Sequence, residues 1–232
     1  MKIVLLANGS FPTHPTPLQA LEHADAVICC DGAFRHLEDH AGEIFVVGDG
    51  DSADSDALQQ SHLNFVHDPD QETNDLTKAF HFALHHFGST AIESICIIGA
   101  TGLREDHTLG NISLLDLYNE EINVFSIPRH ENDCCEDNSS SKKAKTTIKM
   151  LTDHGVFTPV IGEMQFDSFP RQQVSIFSTT PDIPVTVSGL RYPIRNRTLN
   201  ALWQGTLNAA TGDTFSVQGG HLIVYQTYLE KA

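Results

Sequence analysis

Basic residues are scarce in this sequence. Lys and Arg together number 14, against 30 Asp and Glu, and the formal net charge is −16 at pH 7. Nucleic acids and anionic lipids both bind basic protein surfaces, so this charge argues against a nucleic-acid-binding protein and against docking on a membrane. The hydrophobic fraction of 40% is too high for a disordered chain and favours a globular protein.

Long apolar runs are also absent. Runs such as Ile3–Ala7 and Ser94–Ala100 are far shorter than the roughly 20 residues that a membrane span requires. The apolar run that follows Lys2 is too short for a secretory signal, whose hydrophobic region needs about 7 to 15 residues. The five cysteines form no C-x-x-C pair, which argues against both a disulfide framework and a zinc site. We therefore expect a cytoplasmic protein.

The excess acidic charge lies entirely in the first part of the chain, because residues 128–232 contain as many basic as acidic residues. Residues 1–128 alternate helix-like stretches with short apolar runs rich in β-branched residues. The predicted strands are Ile3–Ala7, Ala26–Cys30, Ile44–Val47, Asn64–His67, Ser94–Gly99 and Ile122–Ile127. This pattern predicts an α/β domain with a doubly wound, mostly parallel sheet that is covered by helices on both faces.

The second part has a different pattern. Residues 148–232 contain short candidate strands at close spacing, which favours an all-β sandwich domain. These strands are Ile148–Thr152, Val156–Val160, Gln173–Ser178, Val185–Leu190, Ala201–Leu207, Asp213–Val217 and His221–Tyr228. The lone Trp203 is expected in the sandwich core. Residues 129–147 are polar and are predicted to form a linker or long loop.

Acidic residues and glycines follow the predicted parallel strands. In an open parallel sheet, ligands bind outside the carboxyl ends of the strands, so these loops would share one rim. They contain Asn8, Gly9, Asp31, Asp49, Asp51, Asp70, Asp75, Gly102 and Arg104. Any one Asp-Gly pair could be only a turn, because both residues favour turns. The combination of several aspartates on one rim instead predicts a site with a chemical function.

Crowded carboxylates stay ionised when cations neutralise them, and hard oxygen ligands suit Mg²⁺. Glycines such as Gly9 and Gly102 would let the backbone approach a phosphate, and Arg104 would donate a fork of hydrogen bonds to it. Carboxylates, Mg²⁺, glycine loops and an arginine together are typical of a phosphoryl-transfer site. We therefore expect Mg²⁺ and a phosphate group at this rim.

Four segments, in this order, make the chain resemble the thiamine pyrophosphokinase family. They are CDGA at Cys30–Ala33, GDGDS at Gly48–Ser52, PDQETNDLTKA at Pro69–Ala79 and GATGLREDHTLGN at Gly99–Asn111. Weaker matches follow at Ser188–Ile194 and Gly205–Asn208. The resemblance implies an α/β catalytic domain and a β-sandwich that helps to bind thiamine. It also implies a homodimer whose active sites are shared between the two subunits.

The resemblance implies transfer of the diphosphate of ATP to the hydroxyl of thiamine, giving thiamine diphosphate and AMP. Catalytic roles would fall to Asp49, Asp51, Asp75 and Arg104, and Mg²⁺ would be bound by Asp31, Asp49, Asp51 and Asp75. ATP would be bound by Asn8, Gly9, Asp70, Gln71, Thr77, Lys78, Gly102, Arg104, Asp106 and His107. Thiamine would be bound by Gln71, Tyr192 and Asn208.

The sequence departs from the family pattern at three positions. Tyr192 replaces the usual Trp, Leu207 replaces a Ser, and Asn74 replaces a Thr that precedes the long helix. Asn can still cap a helix, so the last change is mild. Three other functions stay open: a Mg²⁺-dependent hydrolase of nucleotides or diphosphates, a pyrophosphokinase for a pterin-like alcohol, and a non-catalytic thiamine sensor.

Overall fold

The computed structural model describes residues 1–37, 42–49, 63–125 and 146–228. Its first half contains a parallel sheet with the order β4-β3-β2-β1-β5-β6. These strands are β1 Lys2–Leu6, β2 Ala26–Cys30, β3 Glu43–Gly48, β4 Asn64–His67, β5 Ser94–Ile98 and β6 Thr147–Leu151. Every residue of β2 is buried, as expected for a continuous apolar strand covered on both faces.

Helices cover both faces of this sheet. Helices α2 (Asp75–Phe87) and α3 (Glu105–Phe125) pack on one face, and α1 (Pro15–Glu22) packs on the other together with the short 3₁₀ helix Ala33–His36. The two faces form separate hydrophobic clusters, because alternate residues of each strand point in opposite directions. This arrangement confirms the predicted doubly wound α/β fold.

The second half is rich in antiparallel strands. They are β7 Gly155–Asp167, β8 Gln173–Ser178, β9 Val185–Ser188, β10 Ile194–Arg197, β11 Asn208–Ala209 and β12 Thr214–Thr227. Strand β12 pairs with β7 along most of its length, but its pairing register shifts between Gln218 and His221. Before this irregularity β12 also pairs with β9, and after it with β8. A hydrophobic cluster that includes Val187, Phe215 and Leu222 stabilises this strand-rich half.

Three predicted strands differ in the structure, and one of them, Ala201–Leu207, contains the short 3₁₀ helix Leu202–Gly205 instead. Residues 122–125, predicted as the start of a strand, belong to α3, because Leu115, Tyr118 and Ile122 recur at helical spacing and are all buried against the sheet. The strand predicted at Ile148–Thr152 as part of the β-rich half is β6, which pairs in parallel with β5. Strand β6 also pairs antiparallel with β7. The predicted domain boundaries stay a prediction, and nearly all of the predicted linker at residues 129–147 lies outside the described residues.

No helix in the described ranges is long and apolar enough to cross a membrane.

Candidate functional site

The order of the parallel strands creates a crevice between β1 and β5. The chain builds β2, β3 and β4 on one side of β1 and then returns to place β5 on the other side. Loops leaving neighbouring strands in opposite directions open a crevice at their carboxyl ends. A cavity of about 360 Å³ lies there, and its lining includes Asn8, Gly9, Asp75, Arg104 and His107. All five were predicted as site residues.

The backbone on one side of the cavity is closely packed. The Gly9 amide donates to the Gly99 carbonyl oxygen at 2.7 Å, and the Ser10 amide donates to the Thr101 carbonyl oxygen at 2.9 Å. A Cβ atom on Gly9 would lie 2.3 Å from the Gly99 carbonyl oxygen, so a side chain does not fit there. Gly102, another predicted ATP contact, has a φ of 92° and packs against Ser10. The glycines are therefore required to bring these two loops together.

The beginning of α2 forms another side of the cavity. Asn74 caps the helix, because its side chain accepts a hydrogen bond of 2.9 Å from the Thr77 amide. This confirms the prediction that Asn74 can cap the helix. Asp75 and Leu76 follow and line the cavity with Asn74. The helix N-terminus adds positive potential at this edge, which favours an anionic ligand.

Asp75 lies in a negatively charged environment. Burial raises the pKa of its carboxyl, and the charges of Asp49 and Asp31 raise it further, while Lys78 opposes this shift. The Lys78 Nζ atom lies 3.7 Å from Asp75 Oδ1 and donates to the Asp68 carbonyl oxygen at 3.3 Å, and Lys78 is buried. Three of the four predicted Mg²⁺ ligands are therefore close enough to influence one another.

Asp31 and Asp49 lie at the ends of β2 and β3. Asp31 is buried, and a Cβ atom on Gly48 would lie 2.6 Å from Asp31 Cβ, so the glycine makes room for this aspartate. Asp49 Oδ2 accepts a hydrogen bond of 3.0 Å from Gln71 Nε2. Asp51, the fourth predicted ligand, lies outside the described residues.

The described ranges contain no group of three or more His, Cys, Asp or Glu side chains that could hold a metal ion. The chemistry of the carboxylates nevertheless fits a divalent cation. The charges of Asp49 and Asp31 raise the pKa of Asp75, and a bound cation would relieve this repulsion.

Two further predicted ATP contacts, Asp70 and Thr77, form hydrogen bonds with other residues of the protein. Asp70 accepts hydrogen bonds from the Glu72 amide at 2.9 Å and from Thr73 Oγ1 at 2.8 Å, and these bonds lower its pKa. Its carboxylate thus shapes its own loop. The Thr77 hydroxyl lies 2.7 Å from the Tyr118 hydroxyl in α3.

Arg104 and Asp106 form a two-pronged ion pair at the rim of the cavity. Arg104 Nε donates to Asp106 Oδ1 at 3.1 Å, and Nη2 donates to Oδ2 at 2.5 Å. The hydrogen bonds from Arg104 lower the pKa of Asp106 to about 2, and the His107 amide contributes a further bond. Both side chains are exposed, so the pair can exchange its partners for a ligand at little cost.

The predicted thiamine contacts of the β-rich half, Tyr192 and Asn208, do not line this cavity. The described lining includes no residue beyond Asn111. Asn208 is buried and holds the backbone of Tyr192, because its Oδ1 accepts from the Tyr192 amide at 2.9 Å and its Nδ2 donates to the Tyr192 carbonyl at 2.7 Å. The Tyr192 ring is exposed, and the Arg191 guanidinium carbon lies 5.5 Å from its centre.

The prediction for Trp203 is wrong. Its side chain is 72% exposed, and it belongs to a short 3₁₀ helix, Leu202–Gly205, rather than to a core strand. Leu207 is 84% exposed and has a φ of 59°. The backbone of Gly205 packs so closely against Ile176 that no side chain fits there. The segment is therefore anchored by a glycine, and its large side chains point outwards.

Sequence reasoning missed several cavity-lining residues, and three of them lie close to Arg104 and His107 in the sequence. Leu103, Thr108 and Asn111 line the cavity beside Arg104 and His107. Asn111 Nδ2 donates to the Ala100 carbonyl oxygen at 2.8 Å and so joins the helix to the loop after β5. The spacing from Arg104 through His107 and Thr108 to Asn111 is that of one helix face, and this signal was available in the sequence.

The fold and the cavity define a doubly wound α/β protein with a ligand crevice at its topological switch point, joined to a strand-rich unit. The family model "Thiamin pyrophosphokinase, catalytic domain" matches residues 18–126, and "Thiamin pyrophosphokinase, substrate-binding domain" matches residues 155–225. Together the two models cover well over half of the chain. The chain belongs to the thiamin pyrophosphokinase family.

Solved structures share the fold at low sequence identity. A thiamine pyrophosphokinase from Bacillus subtilis aligns with a TM-score of 0.68 and 20% identity, covering 97% of this chain and 99% of that chain. A thiamin pyrophosphokinase from Candida albicans aligns with a TM-score of 0.73 and 18% identity, covering 97% of this chain and 89% of that chain. No curated protein matches the sequence significantly.

Proposed function

We propose that this protein is a thiamine diphosphokinase that uses ATP. The thiamine hydroxyl oxygen forms a bond to the β-phosphorus of ATP and loses its proton. The bond between that phosphorus and the oxygen bridging to the α-phosphorus breaks, and AMP leaves with the electron pair. The observation that supports this proposal best is the cavity at the switch point, where a helix N-terminus and closely packed glycine loops meet the Asp75 carboxylate.

ATP would bind with its phosphates at the carboxyl ends of β1 and β5. Gly9 and Gly102 bring backbone close to this space, and Asn8 and His107 add polar groups to its lining. Arg104 would exchange its contact with Asp106 for phosphate oxygens, since a guanidinium can bind two of them at once. Lys78, buried beside Asp75, would supply a second positive charge.

Mg²⁺ would be held by Asp31, Asp49, Asp51 and Asp75. When bound, Mg²⁺ supplies charge neutralisation and orientation of the phosphates. Gln71, which donates to Asp49, would keep that carboxylate in place and face the thiamine hydroxyl. Asp70 would act mainly by shaping its own loop, through its bonds to Glu72 and Thr73.

Thiamine would bind between two copies of the chain. The described lining of the cavity contains no residue of the β-rich half, so Tyr192 and Asn208 of one copy would reach the cavity of a second copy. The exposed Tyr192 ring is available to stack on the pyrimidine of thiamine, and buried Asn208 holds its backbone. This arrangement requires a homodimer, and we place the enzyme in the cytoplasm.

Incubation with ATP, Mg²⁺ and thiamine, followed by mass analysis, tests the proposal. We expect thiamine diphosphate and AMP in equal amounts. AMP without thiamine diphosphate would instead identify a hydrolase, and no reaction would identify a non-catalytic binder. Product formed only when a pterin-like alcohol replaces thiamine would assign a different acceptor. Omission of Mg²⁺, or excess chelator, is expected to abolish the reaction.

A further inference from the structure

Tyr118 has its hydroxyl group in the interior, beside the start of α2. The side chain is 1% exposed, and its ring stacks on Phe80 with 4.1 Å between ring centres and an interplanar angle of 15°. Its hydroxyl lies 2.7 Å from Thr77 Oγ1. Phe in place of Tyr118 would fill the same space and keep the stacking, so packing alone does not account for the hydroxyl.

The geometry of this bond allows either hydroxyl to donate, and the burial of Tyr118 favours the phenol as the donor. Burial raises the pKa of Tyr118 well above its usual range, so the phenol keeps its proton at all physiological pH values. A buried phenol needs an acceptor, and Thr77 Oγ1 lies within reach of it. When Tyr118 donates to Thr77, the Thr77 proton remains available for another acceptor. Thr77 is partly exposed and follows Asp75 and Leu76, which both line the cavity.

We propose that Tyr118 is a positioning residue for ATP, which directs the Thr77 hydroxyl so that it donates to a phosphate oxygen. Tyr118 does not touch the nucleotide and acts through Thr77. This inference rests on the proposed function only in taking ATP as the ligand of the cavity, and it does not depend on the acceptor of the transferred group.

The main test is ATP binding to Tyr118→Phe, measured by calorimetry with Mg²⁺ and without thiamine. We expect affinity to fall roughly three- to tenfold, the range that one hydrogen bond between uncharged groups contributes. In the full reaction, KM for ATP should rise by a similar factor while kcat changes less, since the interaction is made to bound ATP.

Double-mutant analysis separates positioning from packing. In a Thr77→Val background, Tyr118→Phe should cause no further loss of affinity, because the group it acts through is gone. Thr77→Ser keeps the hydroxyl and should bind ATP more tightly than Thr77→Val. An equal loss from Tyr118→Phe in both backgrounds would overturn the inference.

Tyr225 offers a matched control in the β-rich half. It is partly buried, burial also raises the pKa of its hydroxyl, and its ring lies 4.5 Å from that of Phe157. Tyr225→Phe should lower thermal stability about as much as Tyr118→Phe but leave ATP affinity unchanged. Wild-type affinity in Tyr118→Phe, or an equal loss in Tyr225→Phe, would overturn the inference. Wild-type protein that binds ATP but makes no thiamine diphosphate would overturn only the proposed function.

Discussion

Aspartates that look alike in the sequence have different environments in the structure. Asp70 accepts hydrogen bonds within its own loop, and they lower its pKa. Asp75 has a raised pKa, because it is partly buried and lies near Asp49 and Asp31. A carboxylate kept charged against its surroundings is typical of a functional site, whereas hydrogen bonds within a turn are typical of a structural role. Asp75 is therefore the clearest candidate for function.

Replacing Asp75 by Asn tests this distinction. We expect turnover with ATP and thiamine to fall roughly a thousandfold, since a contact to the metal is worth several kcal/mol of barrier. Thermal stability without metal should stay the same or rise at neutral pH, because the substitution removes a charge whose folded-state pKa is raised. Differential scanning calorimetry measures this difference.

The pH dependence of that stability difference provides the control. A raised pKa means that ionised Asp75 costs stability above its folded pKa and that this cost disappears as the pH falls through that value. The melting temperatures of the Asn variant and the wild type should therefore converge in acid. A large loss of stability in Asp75→Asn at neutral pH would assign Asp75 a structural role.

Arg104 is expected to contribute to ATP binding with little effect on folding. Arg104→Ala should lower kcat/KM for ATP roughly 10- to 100-fold, the range for a hydrogen bond to a charged group, and Arg104→Lys should lower it less. The side chains of Arg104 and its partner Asp106 are both exposed, so we expect the melting temperature of both variants to be unchanged. The pKa of Asp106 should rise towards its ordinary value in both variants, most in the Ala variant, and NMR titration can follow it. Unchanged ATP kinetics in Arg104→Ala would contradict the proposed phosphate contact.

Helices α2 and α3 show how an element positions a site. The Asn74 cap sets where α2 begins and so places Asp75 and Leu76 in the cavity wall. Helix α3 packs on the sheet through Leu115, Tyr118 and Ile122, and this packing directs the face with His107 and Asn111 towards the loop after β5. The capping motif and the helical spacing were both visible in the sequence.

Two glycines offer a matched test of the loop packing. Gly9→Ala would place a methyl group against the backbone of the loop after β5. Backbone atoms cannot rotate away as a flexible side chain can. We expect a loss of about 1–3 kcal/mol in unfolding free energy and weaker ATP binding. Gly110→Ala in α3 meets no atom within 4 Å and should raise stability by about 0.5–1 kcal/mol. Chemical denaturation of both variants measures these changes, and a neutral Gly9→Ala would disprove the tight contact.

The proposed shared site makes a prediction about the assembled protein. Light scattering should show a dimer, with an interface of at least about 1,000 Å². The Asp75→Asn variant and the Tyr192→Ala variant should each have reduced turnover when assayed alone. Mixed dimers of the two variants should regain activity, because one of their two sites then contains neither substitution. A fully active monomer, or no recovery on mixing, would show that each site is formed within one chain.

Local patterns in the sequence predicted most of the α/β half. Continuous apolar runs become the buried strands β1, β2, β3 and β5, because a strand covered on both faces needs apolar residues at every position. Loops after these strands were correctly expected at one rim, because parallel strands end at the same edge of a sheet. Asn8, Gly9, Asp75, Arg104 and His107 accordingly line one cavity.

The remaining features depend on contacts between segments far apart in the chain. Strand β6 joins the parallel sheet because an open edge of β5 is available, and its short pattern does not reveal its partner. Trp203 is exposed, and Gly205 in the same 3₁₀ helix packs tightly on Ile176, a contact that no local pattern contains. The hydrogen bond between Thr77 and Tyr118 likewise joins two helices that are far apart in the sequence. Continuous apolar runs indicate which strands of the parallel sheet are buried, whereas strand pairing and side-chain contacts depend on which surfaces meet after the chain has folded.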